Sequence, residues 1–196
     1  MRMPTKALPA AMAAAAFSVL TLAAATPATA ATSSAAAVHT VRVQLHTVTT
    51  VKESAGAIVS CPDNQVMTGR SHTGDENGYT KYSCSQIFID DEQVTVERRG
   101  WVGVGRESSS LFEAPENQVI VGRRHSGNEN GYTYYEQAAL WWQGRQLRVV
   151  LSPWGSDVRE SNHSVSASPY HVMTGRVHYG DENGYTAYRF GSVTVD

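Results

Sequence analysis

Six residue types recur at fixed spacing along the chain, and as a set they could move a proton, hold a metal ion or bind a hydroxyl-rich ligand. Arg70, His72, Asp75, Glu76, Asn77 and Tyr82 form the first set. Arg123, His125, Asn128, Glu129, Asn130 and Tyr135 form the second, and Arg176, His178, Asp181, Glu182, Asn183 and Tyr188 the third, at an offset of 53 residues both times. Paired carboxylates could run glycoside hydrolysis, but that chemistry needs one asymmetric constellation with two carboxyls in different environments. Three near-copies, one carrying Asn128 where the others carry Asp, argue for binding, so no catalytic residue and no enzyme activity is expected. The sequence also lacks a G-x-S-x-G elbow, an HExxH motif and a P-loop.

Asp75, Glu76 and Asn77 offer oxygen ligands within one loop, yet their spacing does not match the twelve-residue calcium loop. Zinc held by His72, His125 and His178 would need hairpins that converge instead of pointing outward. No metal and no cofactor is expected. What the sets do offer is a guanidinium, an imidazole, carboxylates and a carboxamide beside a phenol ring. Adjacent sugar hydroxyls both donate and accept, and sugar C–H faces pack on aromatic rings, so carbohydrate is the expected ligand. Three like sites on one body would engage clustered glycans with high avidity. The alternative partner is a protein surface, with the chain as an adhesin or inhibitor presenting three hairpins.

The elements that position these sets follow from the repeat. "QVMTGRSHTGDENGYTKY" begins at Gln65, "QVIVGRRHSGNENGYTYY" at Gln118 and "HVMTGRVHYGDENGYTAY" at His171, and "KES" or "RES" recurs upstream at Lys52, Arg106 and Arg159. Alternation and β-branched or aromatic enrichment predict strands, with no sustained helical period after the N-terminal segment. The Asn-Gly pair predicts a hairpin turn, because both residues tolerate positive φ. With a five-residue loop from Gly74 to Gly78, Arg70 faces Tyr82 and His72 faces Thr80, and these side chains share one face, expected to project into solvent. Trp101 and Trp154, at equivalent places, are expected in the core. Units of about four strands cannot bury an apolar face alone, which predicts an all-β, threefold pseudo-symmetric domain over residues 38–196, with units 38–90, 91–143 and 144–196. A β-trefoil is the first expectation and a three-sheet β-prism the alternative.

Residues 1–30 read as an export signal: Arg2 and Lys6 precede an Ala-rich apolar run, and "ATA" at 28–30 is a small-residue cleavage site. A flexible leader (31–37) follows, and secretion is expected, without membrane insertion. Removing Arg2 and Lys6 leaves 14 basic and 18 acidic residues, so no basic stripe invites nucleic acid. In an exported chain the two cysteines, Cys61 and Cys84, are expected to form a disulfide. Three tandem copies of GRxHxGDENGxTxY or its Asn128 variant, behind a signal peptide, resemble small secreted actinobacterial lectins of the streptomycete hemagglutinin type. That resemblance implies recognition of galactose- or rhamnose-containing glycans on cell surfaces or polysaccharides, and cell agglutination.

Overall fold

The computed structural model describes residues 38–75 and 77–195. The expected export signal, the leader and Glu76 lie outside them. Fifteen strands and one 3-10 turn make up the described residues, which contain no α-helix.

In chain order, β1 (Val41–Lys52) leads through the 3-10 turn Glu53–Ala55 into β2 (Ile58–Ser60), β3 (Gln65–Thr73) and β4 (Tyr79–Ile89). The second repeat supplies β5 (Glu92–Gln93), β6 (Thr95–Arg106), β7 (Ser109–Glu113), β8 (Gln118–His125) and β9 (Tyr132–Trp142). The third supplies β10 (Arg145–Gln146), β11 (Arg148–Leu151), β12 (Val158–Arg159), β13 (Asn162–Ser166), β14 (His171–Tyr179) and β15 (Tyr185–Thr194). All strand pairs are antiparallel, and they form three sheets.

Each sheet is built on the hairpin of one repeat and completed by a strand of another. The first runs β1-β4-β3-β13, with β5 extending β4. The second places β6 and β10 along β9, then β8, then β2; the third places β11 and β12 along β15, then β14, then β7. The short strand of repeat one thus completes the sheet of repeat two, that of repeat two completes the sheet of repeat three, and that of repeat three returns to the first. This closed exchange satisfies the outer edge of β3, β8 and β14, which would otherwise present unpaired N–H and C=O groups.

β3, β8 and β14 touch one another, so the three sheets share one interior. Two apolar clusters fill it, each drawing on all three repeats. One holds Val66, Ile87, Val119, Leu140, Val172 and Val193, and the other Met67, Cys84, Phe112, Ile120 and Met173. Consecutive residues of β3, β8 and β14 divide between the two clusters (Val66 and Met67, Val119 and Ile120, Val172 and Met173), and a β-bulge follows each pair.

Two sequence expectations change here. The Asn-Gly pairs are not at positive φ; the positive values in the hairpin loops fall on Gly74, Gly127 and Gly180. The two-residue turns with paired positive φ join one repeat to the next, at Asp90-Asp91 (49° and 66°) and Gln143-Gly144 (49° and 75°), the geometry a type I′ hairpin requires. Trp101 is not a core residue: it is 40% exposed, because it pairs with Glu136 on the outward face of its sheet. Trp154 is half-buried on the same face, against Gly175.

Cys61 and Cys84 form the expected disulfide. Cys61 follows the strand given to the second sheet while Cys84 lies in the first, so the bond staples a donated strand to its own repeat. Reduction, or the paired change Cys61→Ala with Cys84→Ala, is expected to lower unfolding stability by about 3 kcal/mol, read as a shift in the denaturant midpoint.

Candidate functional site

The three hairpins have the register their spacing predicts. Arg70 pairs with Tyr82 and His72 with Thr80; Arg123 with Tyr135 and His125 with Thr133; Arg176 with Tyr188 and His178 with Thr186. The shared face, however, points into the interior. Arg70 and Arg123 are 2% exposed and Arg176 1%, while Tyr82, Tyr135, Tyr188, His72, His125 and His178 are buried with them. The expectation of a solvent-facing patch is therefore corrected for these nine side chains. The face they occupy is the one on which the three sheets meet, and each charge has a protein partner there.

Those partners are the glutamates of the "KES" and "RES" triplets. Glu53 pairs with Arg70 of its own repeat at 3.2 Å and closely with Arg123 of the next. Glu107 pairs with Arg123 at 2.8 Å and Arg176 at 2.7 Å. Glu160 pairs with Arg176 at 2.9 Å and returns to Arg70 at 2.7 Å. The result is a closed ring of alternating carboxylates and guanidiniums, in which every Glu bridges two repeats. Each tyrosine hydroxyl accepts from the arginine of the following repeat: Tyr82 from Arg123 at 2.9 Å, Tyr135 from Arg176 at 3.3 Å, Tyr188 from Arg70 at 3.0 Å. Burial alone would push the glutamates' pKa up, but the adjacent guanidiniums hold all three well below the usual carboxylate range.

The histidines join this ring to the turns. The Nε2–H of His72 donates to the Asp75 carbonyl at 3.1 Å, that of His125 to Gly127 at 3.2 Å, and that of His178 to Gly180 at 3.1 Å. Because a carbonyl only accepts, Nε2 carries the proton, and Nδ1 of His72 is left to accept from the Thr80 hydroxyl at 2.7 Å. Burial and then the neighbouring arginine lower the pKa of all three, so the rings are neutral. One further histidine, absent from the repeated set, behaves alike. His163 donates through Nδ1 to Arg159 and Glu160 carbonyls and accepts at Nε2 from Arg70 and Tyr188, and its pKa falls to about 4 through burial and the Arg70 charge. Ala57 and Ser110 occupy its place in the other repeats, so no repeat signal marked it.

The turn residues lie at the surface. Asp75 and Asp181 accept at Oδ1 from the N–H of Asn77 and Asn183 at 2.8 Å, and Asn128 accepts from Asn130 at 3.1 Å. This local bond needs only an Oδ1 acceptor, which is why Asn serves as well as Asp at that place. The closing glycines are obligatory: a Cβ on Gly78, Gly131 or Gly184 would stand within 2.2 Å of a backbone carbonyl oxygen. Asn130 and Asn183 hold Glu129 and Glu182 at 2.8 and 3.1 Å. These two glutamates are half-buried, whereas Asp75, Asn77, Asn128, Asn130, Asp181 and Asn183 are exposed. The serine of each triplet bonds the next repeat's turn, with Gly74 N–H donating to Ser161 O at 2.9 Å and Gly180 N–H to Ser108 O at 2.9 Å. Together the turns rim a pocket of about 50 Å³ above the ring, lined by His72, His125, His178 and the half-buried glutamates. Contrary to the outward-pointing expectation the three histidines converge there, but no group of His, Cys, Asp or Glu among the described residues has a metal-binding arrangement.

The tyrosine that follows each Asn-Gly pair was missed as a candidate. Tyr79, Tyr132 and Tyr185 follow the turns and are 65%, 56% and 51% exposed. Each pairs across the strands with the exposed base that opens its triplet: Lys52, Arg106 or Arg159. The Arg159 guanidinium lies 5.5 Å from the Tyr185 ring. The signal was present, since all three copies read "NGY". Comparison with protein-family models, curated proteins and solved structures finds no match for the chain.

Two expectations follow for stability. Glu107→Gln leaves Arg123 and Arg176 undercompensated in the interior and should cost about 3–5 kcal/mol in urea unfolding. The neutral histidines have folded pKa values below their unfolded value near 6.5, so their stabilisation is complete above that pH and is lost as pH falls through it. For His163 alone the loss between about pH 6.5 and 4 is on the order of 3 kcal/mol. The ring carboxylates, whose folded pKa values lie well below their ordinary value near 4.5, keep their stabilisation above that pH and lose it as pH falls below. Thermal midpoints should be flat above about pH 7 and drop steadily toward pH 4.

Proposed function

We propose that the chain is a secreted, threefold pseudo-symmetric carbohydrate-binding protein with one glycan site on each hairpin. Three separate sheets around one interior support the β-prism alternative over the trefoil for the architecture. The buried Arg, His and Tyr of the motif serve as the scaffold in this reading, and the sugar contacts fall to the exposed remainder. Asn77, Asn130 and Asn183 provide carboxamides, the turn acids provide acceptors, and Tyr79, Tyr132 and Tyr185 provide ring faces for sugar C–H groups. The basic side chain across from each tyrosine supplies a donor.

The single supporting observation is this exposed tyrosine beside an exposed asparagine, recurring in every repeat although no packing need keeps it. A turn of this shape requires its glycines and an Oδ1 acceptor; it does not require tyrosine at the next position. Binding by one such shallow site is weak, and three on one rigid body raise avidity by 10²–10⁴ without new contacts, in order-of-magnitude terms.

The test is a glycan array with galactose- and rhamnose-bearing probes on the exported protein. Tyr79→Ala, Tyr132→Ala and Tyr185→Ala combined should abolish the array signal while leaving the thermal midpoint within about 2 °C, because the rings are exposed. Any one of the three alone should lower apparent affinity by about 10-fold or more. Equal binding to partner proteins stripped of sugar would overturn the glycan reading in favour of a protein ligand.

A further inference from the structure

The three sheets carry the same row of four positions on their outward faces, and only one of them leaves that row open. In the second sheet the row reads Ser60, Gly122, Glu136, Trp101, and in the third Glu113, Gly175, Arg189, Trp154. In the first it reads Ser166, Gly69, Ser83, Val48. The fillings differ accordingly. Arg98 spans the second row, donating to Glu136 at 2.6 Å and to Ser60 at 2.7 Å. In the third, Arg189 donates to Glu113 at 2.7 Å and to the Ser152 carbonyl at 2.8 Å, while the Trp154 ring comes down onto Gly175. The first sheet has Leu45 where the second has Arg98, and Leu45 is 58% exposed.

A cleft of about 290 Å³ stands over this unfilled row. Its lining holds no Asp, Glu, Lys or Arg; the His171 imidazole bonds Pro169 O and Ser192 Oγ at 2.9 and 3.0 Å and is thereby occupied on both nitrogens. Ser83 and Ser166 line it together with Thr68 and Ser85, which are buried and pair through their hydroxyls at 2.7 Å, and Leu45 and Pro169 add aliphatic surface. Hydroxyls that can each donate or accept, grouped against a small apolar wall, match a neutral polyol ring. The volume lies at the low end of small-molecule pockets, enough for one ring and not for an extended chain. We infer that this cleft is a second, unrepeated ligand site that takes a single neutral monosaccharide-sized polyol.

The proposal is independent of the hairpin sites, which lie at the other end of β3 and contribute no residue to it. It is tested by recording backbone amide NMR shifts of the isotope-labelled protein during titration with galactose, rhamnose and glucose into the millimolar range. One ligand per chain is expected, with saturable shifts at Gly69, Ser83 and Ser166. Leu45→Arg with Ser83→Glu transplants the second sheet's filling, Ser166 standing where Ser60 stands, and should weaken that titration at least 10-fold. Val48→Trp, which covers the row as in the third sheet, is the second blocking variant should the first fail to fold. The combined tyrosine variant should leave these shifts intact. Absence of saturable shifts at the three amides with every sugar, or unchanged affinity in a folded blocking variant, overturns the proposal.

Discussion

The closed ring of three glutamates and three arginines is the interaction on which the rest depends. Removing six charges from water costs several kcal/mol per ion unless each is compensated by close, well-aligned partners. Here the count of the two signs is equal, and every guanidinium is shared between carboxylates from different repeats. Each repeat pairs its own glutamate with its own arginine, but the second carboxylate on every guanidinium comes from another repeat, so the full set of ion pairs forms only when the three sheets meet. The tyrosine hydroxyls take up further guanidinium N–H groups, and the histidines carry the constraint outward to the turn carbonyls. The ring therefore sets where the surface loops stand.

The sequence made much of this legible, and its failures have identifiable causes. Repeat spacing and alternation placed Arg70 opposite Tyr82 and His72 opposite Thr80, because a five-residue loop leaves a single register. Alternation gives parity, but it does not say which parity is inside. Arginine and histidine are seldom fully buried, so composition pointed the patch outward. What reversed it was the neutralising Glu53, Glu107 and Glu160, which lie 16 or 17 residues from their own arginines in sequence and whose second partners lie in another repeat. The donated strands were equally invisible, since β2, β7 and β13 are short and pair outside their own unit. Trp101 was misplaced by the same rule of thumb that misplaced the arginines, with the opposite sign.

Within the repeated motif, burial divides the residues into two sets. The glycines, the Oδ1 acceptor and the buried Arg, His and Tyr are each accounted for by a backbone, a carboxylate or a hydroxyl of the protein itself. Tyr79, Tyr132 and Tyr185 are exposed and take no such part, whereas the Asn130 and Asn183 carboxamides bond Glu129 and Glu182. Recurrence within a chain is thus a mixed signal, and burial is what separates its two components. The unrepeated positions carry the converse lesson: where Val48, Leu45 and Ser83 depart from their counterparts, the departure leaves space rather than a new contact.

The cyclic exchange of short strands has its own consequence. Each repeat extends one short arm, and that arm closes the sheet edge of the next repeat in the chain. Loss of any one arm would therefore expose unpaired N–H and C=O groups on a sheet built by a different stretch of sequence, so damage in one repeat is felt first as a sticky edge in its neighbour.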